Sequence, residues 1–535
     1  MALLTTFQKK FLICPCSERA DYVTVVIYRK NEIACTTPAR LSLRENAQYF
    51  CAIDVGDFIG QEDIVLRVEP CHSKRDIPKK TNISQAELEL LQDALFESDS
   101  FDSSHEYRPW LHFTTVSGWH NDPNGLFWMD GKYHLYFQKQ PTSLRPIWDQ
   151  PFQWGHAVSN DLFNWTELSP VIRFPPASSG SAFINRETGN ICISHDCKIE
   201  ESTDGGYHYQ PIAEHPLIGG DPKIFWNEDV QRYVCVSLDK QGEYRVSHSE
   251  NLRDWTEQSH IYGYHECPDL IKLPIVGTDE SKWVLYGGDL GYRIGNFDGY
   301  SFIPDKMEEN RPDAFIPMRA LSIERAEVLD KYNGVFTYPE AYIAYSGQTF
   351  ANLPDRRCIR MIWLRKFYTD EGVPFSQCMC VPQELSLRYT PLGVRLCCMP
   401  VREIERYYRE SFKLCEKKID QSFSGIAFDI RAEFYAGQML QIGALSFQYD
   451  REKETILVSG DEKEIAFAYP VSDGSIRLRC VADCGMFEFY IGDGEIYYPV
   501  RTDEHSKALT IRCDTDGTRT APEITVTRLE RACYC

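Results

Sequence analysis

A nine-residue string, Ser159-Asn160-Asp161-Leu162-Phe163-Asn164-Trp165-Thr166-Glu167, returns about ninety residues later as Ser249-Glu250-Asn251-Leu252-Arg253-Asp254-Trp255-Thr256-Glu257. Near the midpoint stands Ser202-Thr203-Asp204-Gly205-Gly206-Tyr207, and one further interval along comes Asn296-Phe297-Asp298-Gly299-Tyr300. A period in the forties that carries a polar turn and an aromatic is the size of one β-propeller blade of about four strands. Such a unit cannot bury its apolar face alone, so copies of it must pack side by side around an axis. Between residues 105 and 400 there is room for roughly five or six units of that length. The competing reading is a recurrent turn of the form S-x-(D/N)-L-x-x-W with no shared architecture.

Strand signals run through nearly the whole chain, in short runs such as Tyr22–Tyr28, Lys132–Phe137, Tyr233–Leu238 and Trp283–Tyr286, rich in Val, Ile, Tyr and Phe and bounded by turn residues. The fold class expected is therefore all-β. One helix stands out, over Ser84–Phe96: Ser84-x-x-Glu87 has the form of a capping box, and Leu88, Leu90, Leu91 and Leu95 supply an apolar face. It closes a β-rich accessory segment, residues 1–100, that holds no catalytic constellation. Residues 105–403 form the repeat region, and the alternating strands of Ile426–Phe434 and Ile476–Ile491 suggest a terminal β-sandwich over 410–535.

Charge narrows the partners. With 57 Lys and Arg against 78 Asp and Glu, the net charge of −21 repels phosphate backbones and anionic lipid. Neither nucleic acid nor a membrane is expected as partner, and no apolar run reaches the length that crosses a bilayer. The first residues lack the apolar core of a secretory signal, which places the chain as written in the cytoplasm; a signal already removed leaves the extracytoplasmic space open. Twenty cysteines are scattered without finger spacing. Buried free thiols are favoured over disulfides or zinc, although Cys14/Cys16, Cys378/Cys380 and Cys533/Cys535 form C-x-C pairs. No metal and no cofactor are expected, and the oligomeric state is left open.

Three acids occupy comparable places in different repeats: Asp122 in Trp119-His120-Asn121-Asp122-Pro123-Asn124-Gly125, Asp221 in Gly220-Asp221-Pro222, and Glu266 in Glu266-Cys267-Pro268-Asp269. Each lies about thirty to forty residues ahead of a turn marker, so radial repetition would aim all three at one central channel. Carboxylates held together cannot all ionise freely; one is kept protonated as a general acid while another stays charged as a nucleophile. Retaining glycosidases use that division of labour.

The blocks WHNDPNG at Trp119–Gly125, FQ at Phe137-Gln138, QWGHAVS at Gln153–Ser159, SGSA at Ser179–Ala182, GDPKIFW at Gly220–Trp226, ECPDL at Glu266–Leu270 and VPQELSL at Val381–Leu387 resemble, in order, those of glycoside hydrolase family 32, the β-fructofuranosidases that include invertases, inulinases and levanases. The likeness covers about residues 108 to 400. The sandwich segment with Asp483 and Glu488 resembles the family's C-terminal module. The resemblance implies a five-bladed propeller with a funnel-shaped pocket, retaining chemistry without metal, and a fructose-containing oligo- or polysaccharide as partner. It makes Asp122 the nucleophile, Glu266 the acid/base and Asp221 the stabiliser of the transition state, with Asn121, Gln138, Trp154 and Ser179 lining the fructosyl pocket.

The chain departs from the family pattern at three places. Gly219-Gly220 stands where the family has arginine before the middle Asp, Ser178 replaces an aromatic, and His120 replaces an apolar residue. Arg245 and Arg293 are candidates to restore the missing cation. Cys267 reads as a buried neighbour tuning Glu266, His156 as a structural histidine, and Asp483 with Glu488 as surface or interdomain residues. Asn82-Ile83-Ser84 and Asn164-Trp165-Thr166 match glycosylation sequons by pattern only. The expected activity is exo-acting release of terminal β-fructosyl units from fructan or sucrose. The alternatives are a fructosyltransferase, an arabinoside-cleaving propeller enzyme, and a carbohydrate-binding protein whose mark would be Gly220.

Overall fold

A computed structural model describes residues 6–73, 83–240, 243–262, 264, 266–305, 316–317, 343–365, 372–460, 463–471, 474–502, 507–515 and 520–532. Asn82, Cys533 and Cys535 fall outside that set. Among the described residues, five four-stranded antiparallel meanders follow one another from Gly118 to Pro400. Blade I begins with Gly118–Met129, blade II with Gly180–Ile184, blade III with Gly220–Asn227, blade IV with Asp269–Pro274 and blade V with Ala344–Thr349. Short Phe375–Ser376, reached from blade V, pairs in parallel with Gly118 and Trp119 of blade I and closes the ring. The five-bladed propeller is thus present.

The turn markers occupy equivalent places. Each lies between the third and fourth strands of blades I to IV, where an Asp or Asn side chain accepts from backbone N–H groups two to four residues on: Asp161 from Phe163 and Asn164, Asp204 from Tyr207 and His208, Asn251 from Arg253 and Asp254, Asp298 from Tyr300 and Ser301. Leu162 and Leu252 both take a positive φ, and the indoles of Trp165 and Trp255 both donate to the carbonyls of those leucines, at 2.8 and 2.9 Å. A side chain that replaces the turn's own hydrogen bonding explains why Asp and Asn recur here.

Two three-stranded sheets precede the propeller and enclose a separate core that includes Val25, Ile27, Cys51 and Ile53. The helix runs Gln85–Ala94, with both halves of the capping box formed by Ser84 and Glu87. Leu88 and Leu95 are buried and Leu91 packs against the core, whereas Leu90 points to solvent, so the apolar stripe is narrower than the four leucines suggest. After Pro400 two six-stranded sheets form the sandwich, around Ile430, Phe434, Phe447 and Phe489.

Asp483 and Glu488 lie at the seam of propeller and sandwich, wholly buried, which excludes the surface reading and keeps the interdomain one. Asp483 accepts from the backbone N–H groups of Trp110, Leu111 and His112 and meets the His112 ring at 2.8 Å. Glu488 takes the other ring nitrogen at 2.9 Å, the Val381 N–H at 2.7 Å and the hydroxyls of Tyr490 and Tyr497. Burial pulls the His112 imidazole down, but the two carboxylates outweigh it and hold it up at about 9.

Candidate active site

Every blade contributes one polar side chain from its innermost strand or from the one to three residues ahead of it: Asp122, Ser179, Asp221, Glu266 and Tyr345 from blades I to V in turn. Strand alternation alone would not aim them. The pairing register slips between His120 and Pro123, between Gly220 and Lys223, and between Tyr345 and Gly347, so Asp122, Asp221 and Tyr345 sit at bulges that turn their side chains toward the axis. Asp221, Glu266 and Cys267 hold φ of 50°, 45° and 45°. Non-glycine residues there are strained, and the packed ring maintains them.

The three acids converge. Ser179 donates to Asp122 Oδ2 at 2.9 Å, and the Cys267 backbone N–H donates to Asp221 Oδ2 at 3.0 Å. The Cys267 thiol lies 3.7 Å from Asp122 Oδ2 and 3.5 Å from Asp221 Oδ2. It therefore bridges the other two acids. Burial, then the charges of Asp221 and Asp122, push this thiol far up, so it is present as a weak donor and not as a thiolate. Burial first and the Asp221 charge second raise Asp122 to about 7, with the Ser179 hydroxyl pulling the other way and the Glu266 charge adding to the rise.

Glu266 is held on the opposite side. The Tyr345 hydroxyl donates to its Oε2, while its backbone carbonyl accepts from the Tyr244 hydroxyl at 2.6 Å and the Gly288 N–H at 2.9 Å. Tyr345 lies in no motif singled out from the sequence, because blade V lacks a turn marker and a lone Tyr in a strand carries no signal of its own. Below the acids the channel is filled by an ion pair, Lys223 Nζ to Asp269 Oδ1 at 2.9 Å, with Tyr286 and Thr349 donating to the other oxygen of Asp269. Both residues belong to the blocks GDPK and ECPD, close in sequence to Asp221 and Glu266.

Asn121 and Gln138 stand together beside Asp122, the Asn121 amide donating to the Gln138 carbonyl oxygen and accepting from the Trp119 indole at 3.2 Å. Trp154 does not line the pocket. Its side chain is completely enclosed between blades I and II, where it packs on Tyr136 and donates to the Ser178 carbonyl at 3.0 Å. It supports the Ser178–Gly180 turn from behind. A Cβ on Gly180 would meet the Ser194 carbonyl oxygen at 1.9 Å and the Trp154 ring at 3.1 Å, which is why glycine stands there. The indole that does face solvent beside the site is Trp148, 41% exposed, edge-on to Trp119 at 6.3 Å.

The family arginine has no substitute in Arg245, whose guanidinium is occupied by Asp239, Glu257 and the Leu217 carbonyl. Arg293 lies over the Tyr264 ring, which stacks on Tyr244, so it flanks the Glu266 side of the site. At Gly220 an added Cβ meets only Leu238, at 3.6 Å, so this position has room for a side chain. His120 behaves as the apolar residue it replaces: buried against Phe113 and Phe137, with burial foremost holding its pKa down near 3. His156 is a buried strand residue whose ring meets His134 at 3.0 Å.

Three acids gathered at the mouth of a closed β-propeller are the equipment of a glycosidase. The chain belongs to glycoside hydrolase family 32: the family's N-terminal domain matches residues 112–397, more than half of it. It is 29% identical to the levanase of Bacillus subtilis over 517 residues, spanning 80% of this chain and 72% of that protein. It is 32% identical to an extracellular exo-inulinase of Meyerozyma guilliermondii and 33% to invertase 2 of Saccharomyces cerevisiae; these alignments span 38% and 36% of this chain and about half of each relative (49% and 46%). The exo-inulinase of Aspergillus awamori superposes with a TM-score of 0.67 at 20% identity, covering 81% of this chain and all of that one, a likeness of fold.

Proposed function

We propose that this chain is an exo-acting retaining β-fructosidase that removes terminal fructosyl units from fructan or sucrose. The observation that carries the reading is the convergence of Asp122, Asp221 and Glu266, from three blades, on one hydrogen-bonded site. The levanase, exo-inulinase and invertase names of the relatives support the fructosyl substrate. In this reading catalysis belongs to residues 105–403, flanked by an accessory module over 1–100 and a sandwich over 410–535.

Asp122, as carboxylate, attacks the anomeric carbon while Glu266 gives its proton to the departing glycosidic oxygen, leaving a fructosyl ester on Asp122 and a free leaving-group alcohol. Glu266, now charged, takes a proton from the water that attacks the ester, and fructose leaves with both groups restored. Asp221 accepts from fructosyl hydroxyls and faces the positive charge that develops on the ring. Ser179 and the Cys267 thiol hold Asp122 Oδ2, so one oxygen is kept oriented while the other is left for attack.

The test is release of sugar from sucrose, inulin and levan by the wild type, Asp122→Asn and Glu266→Gln. Fructose from the wild type alone supports the reading, and fructose and glucose in equal amounts from sucrose mark hydrolysis over transfer. Sugar binding without any turnover by the wild type would overturn it in favour of a binding protein.

A further inference from the structure

The family match begins at residue 112, so the two N-terminal sheets lie outside it, yet they are built into the pocket side of blade I. Part of the contact joins Ala52 to Ser117, and Asp54 and Asp57 to Ser169 and Arg173. The part nearest the site runs through the connection 141–152, which joins the strands Lys132–Gln140 and Gln153–Ser159 without any strand of its own. On its first half Leu144 is buried in the core of the N-terminal sheets, and Thr142 Oγ1 lies 2.9 Å from both the Thr37 hydroxyl and the Pro38 carbonyl oxygen. On its second half Gln150 Nε2 donates to the His72 carbonyl at 2.9 Å, and just past its end Gln153, the first residue of the next strand, reaches the Cys35 sulfur at 3.2 Å. Between the two grips stands Trp148, stacked on Phe152 at 5.6 Å and set edge-on to Trp119.

Trp119 in turn donates to Asn121, the neighbour of Asp122, and packs edge-on against Trp363, which packs against Tyr345 on the Glu266 side. An aromatic belt thus runs from the exposed Trp148 past both halves of the site. A connection of twelve residues without strand pairing loses much conformational entropy on being held, so what fixes it decides where its tip stands. Here the propeller supplies the Gln140 side chain, on both backbone groups of Ile147 at 3.0 Å and on the Gln150 and Pro151 carbonyls at 3.4 and 3.5 Å, and the Ser117 hydroxyl on the Pro141 carbonyl at 3.0 Å. The N-terminal sheets supply the grips on Thr142, Leu144 and Gln150.

We propose that the N-terminal module is a positioning device for the reaction: by gripping residues 142–144 and 150–153 it sets Trp148 at the rim, as the apolar face on which the leaving-group sugar rests. The inference rests on the β-fructosidase reading. Thr37, Thr142, Leu144 and Gln150 are positioning residues that act through Trp148, and Trp148 is the group that touches substrate. An indole face suits the axial C–H groups of a saccharide, and its benefit depends on orientation held before binding.

The experiment loosens the grip without opening a core, in the full-length chain. Thr37→Val keeps the shape and removes one hydrogen bond, and Gln150→Ala removes another. The double variant should raise KM for a fructan oligomer about fivefold while kcat stays within about twofold, and Trp148→Ala should do the same or more. In the Trp148→Ala background the double variant should add nothing, because residues acting through one side chain are not additive. Iodide quenching of indole fluorescence reads the rim without turnover: the double variant should alter the quenching attributable to Trp148, by difference against Trp148→Ala. A double variant that melts earlier but keeps KM and the quenching unchanged would overturn the proposal and leave the module a purely stabilising role. Equal KM effects with and without Trp148 would also overturn it. A wild type that releases no fructose would sink the functional reading instead, and the quenching arm would still decide whether the module sets the indole.

Discussion

Among the described residues, the carboxylates at the seam of propeller and sandwich and those at the propeller mouth are wholly or partly buried, and they are solved in opposite ways. At the seam of propeller and sandwich, Asp483 and Glu488 are saturated by backbone N–H groups, tyrosine hydroxyls and the two nitrogens of His112. At the propeller mouth, Asp122 and Asp221 share a thiol, and Asp122 Oδ1 is buried with no hydrogen-bond partner. The first arrangement stabilises charge and therefore holds two domains together. The second leaves Asp122 up near 7, with its neighbours strained in φ, which costs stability and leaves reactivity.

The contrast is broken most sharply by one substitution in each cluster. Asp122→Asn should lower kcat by about 10⁴-fold while leaving the melting temperature level or higher, since it removes a repelled carboxylate. Fructose release and calorimetry on the same sample check both; a lower melting temperature would mean that the site is stabilising after all. Asp483→Ala should do the reverse, costing about 3–5 kcal/mol of stability because His112 and three N–H groups lose their partner, with kcat per folded molecule little changed.

His112 adds a pH signature. Its folded value of about 9 lies above the unfolded value near 6.5, so its contribution is complete below pH 6.5 and disappears as pH rises through 9. It amounts to something on the order of 3 kcal/mol. Denaturant unfolding of the wild type against His112→Gln at pH 6 and pH 10 should show the gap narrowing, and a constant gap would rule out a charged His112. Tyr345→Phe removes the hydroxyl on Glu266 and should reduce kcat/KM about tenfold, with the pH profile displaced, whereas a purely packing role would leave the profile in place.

The smallest effect is expected at Gly220. Gly220→Arg puts a guanidinium beside the acids at a position with room for it, and the limb of the kcat/KM profile nearest pH 7 should move down by about half a unit to one unit, through a lowered Asp122. An unmoved limb would show the cation too far away or too well solvated.

Much of the fold was legible, and the reason is periodicity. The markers at Ser159, Ser202, Ser249 and Asn296 repeat because each must close the same third-to-fourth strand turn, and a local turn is written in local residues. The acids were legible through their blocks, and their clustering followed from the repeat. Tyr345 was not, because a hydroxyl that meets a residue from the neighbouring blade leaves no mark in its own strand. Trp154 was misplaced for a related reason: Trp148 and Trp154 sit on one short stretch, and only burial separates the enclosed indole from the exposed one.

The sequence by itself determined a chain of β-strands in repeating units, an acidic surface, and three carboxylates at comparable places in their repeats, since spacing and turn chemistry are local properties. The tertiary structure alone decided which groups face which: the bulges that aim Asp122 and Asp221, the thiol set between them, and the burial of Asp483 and Glu488 around His112. It also decided that the N-terminal sheets hold the connection bearing Trp148. Those relations depend on the closing of a ring and the meeting of separate sheets, and residues hundreds of positions apart acquire their environments only when the whole chain has packed.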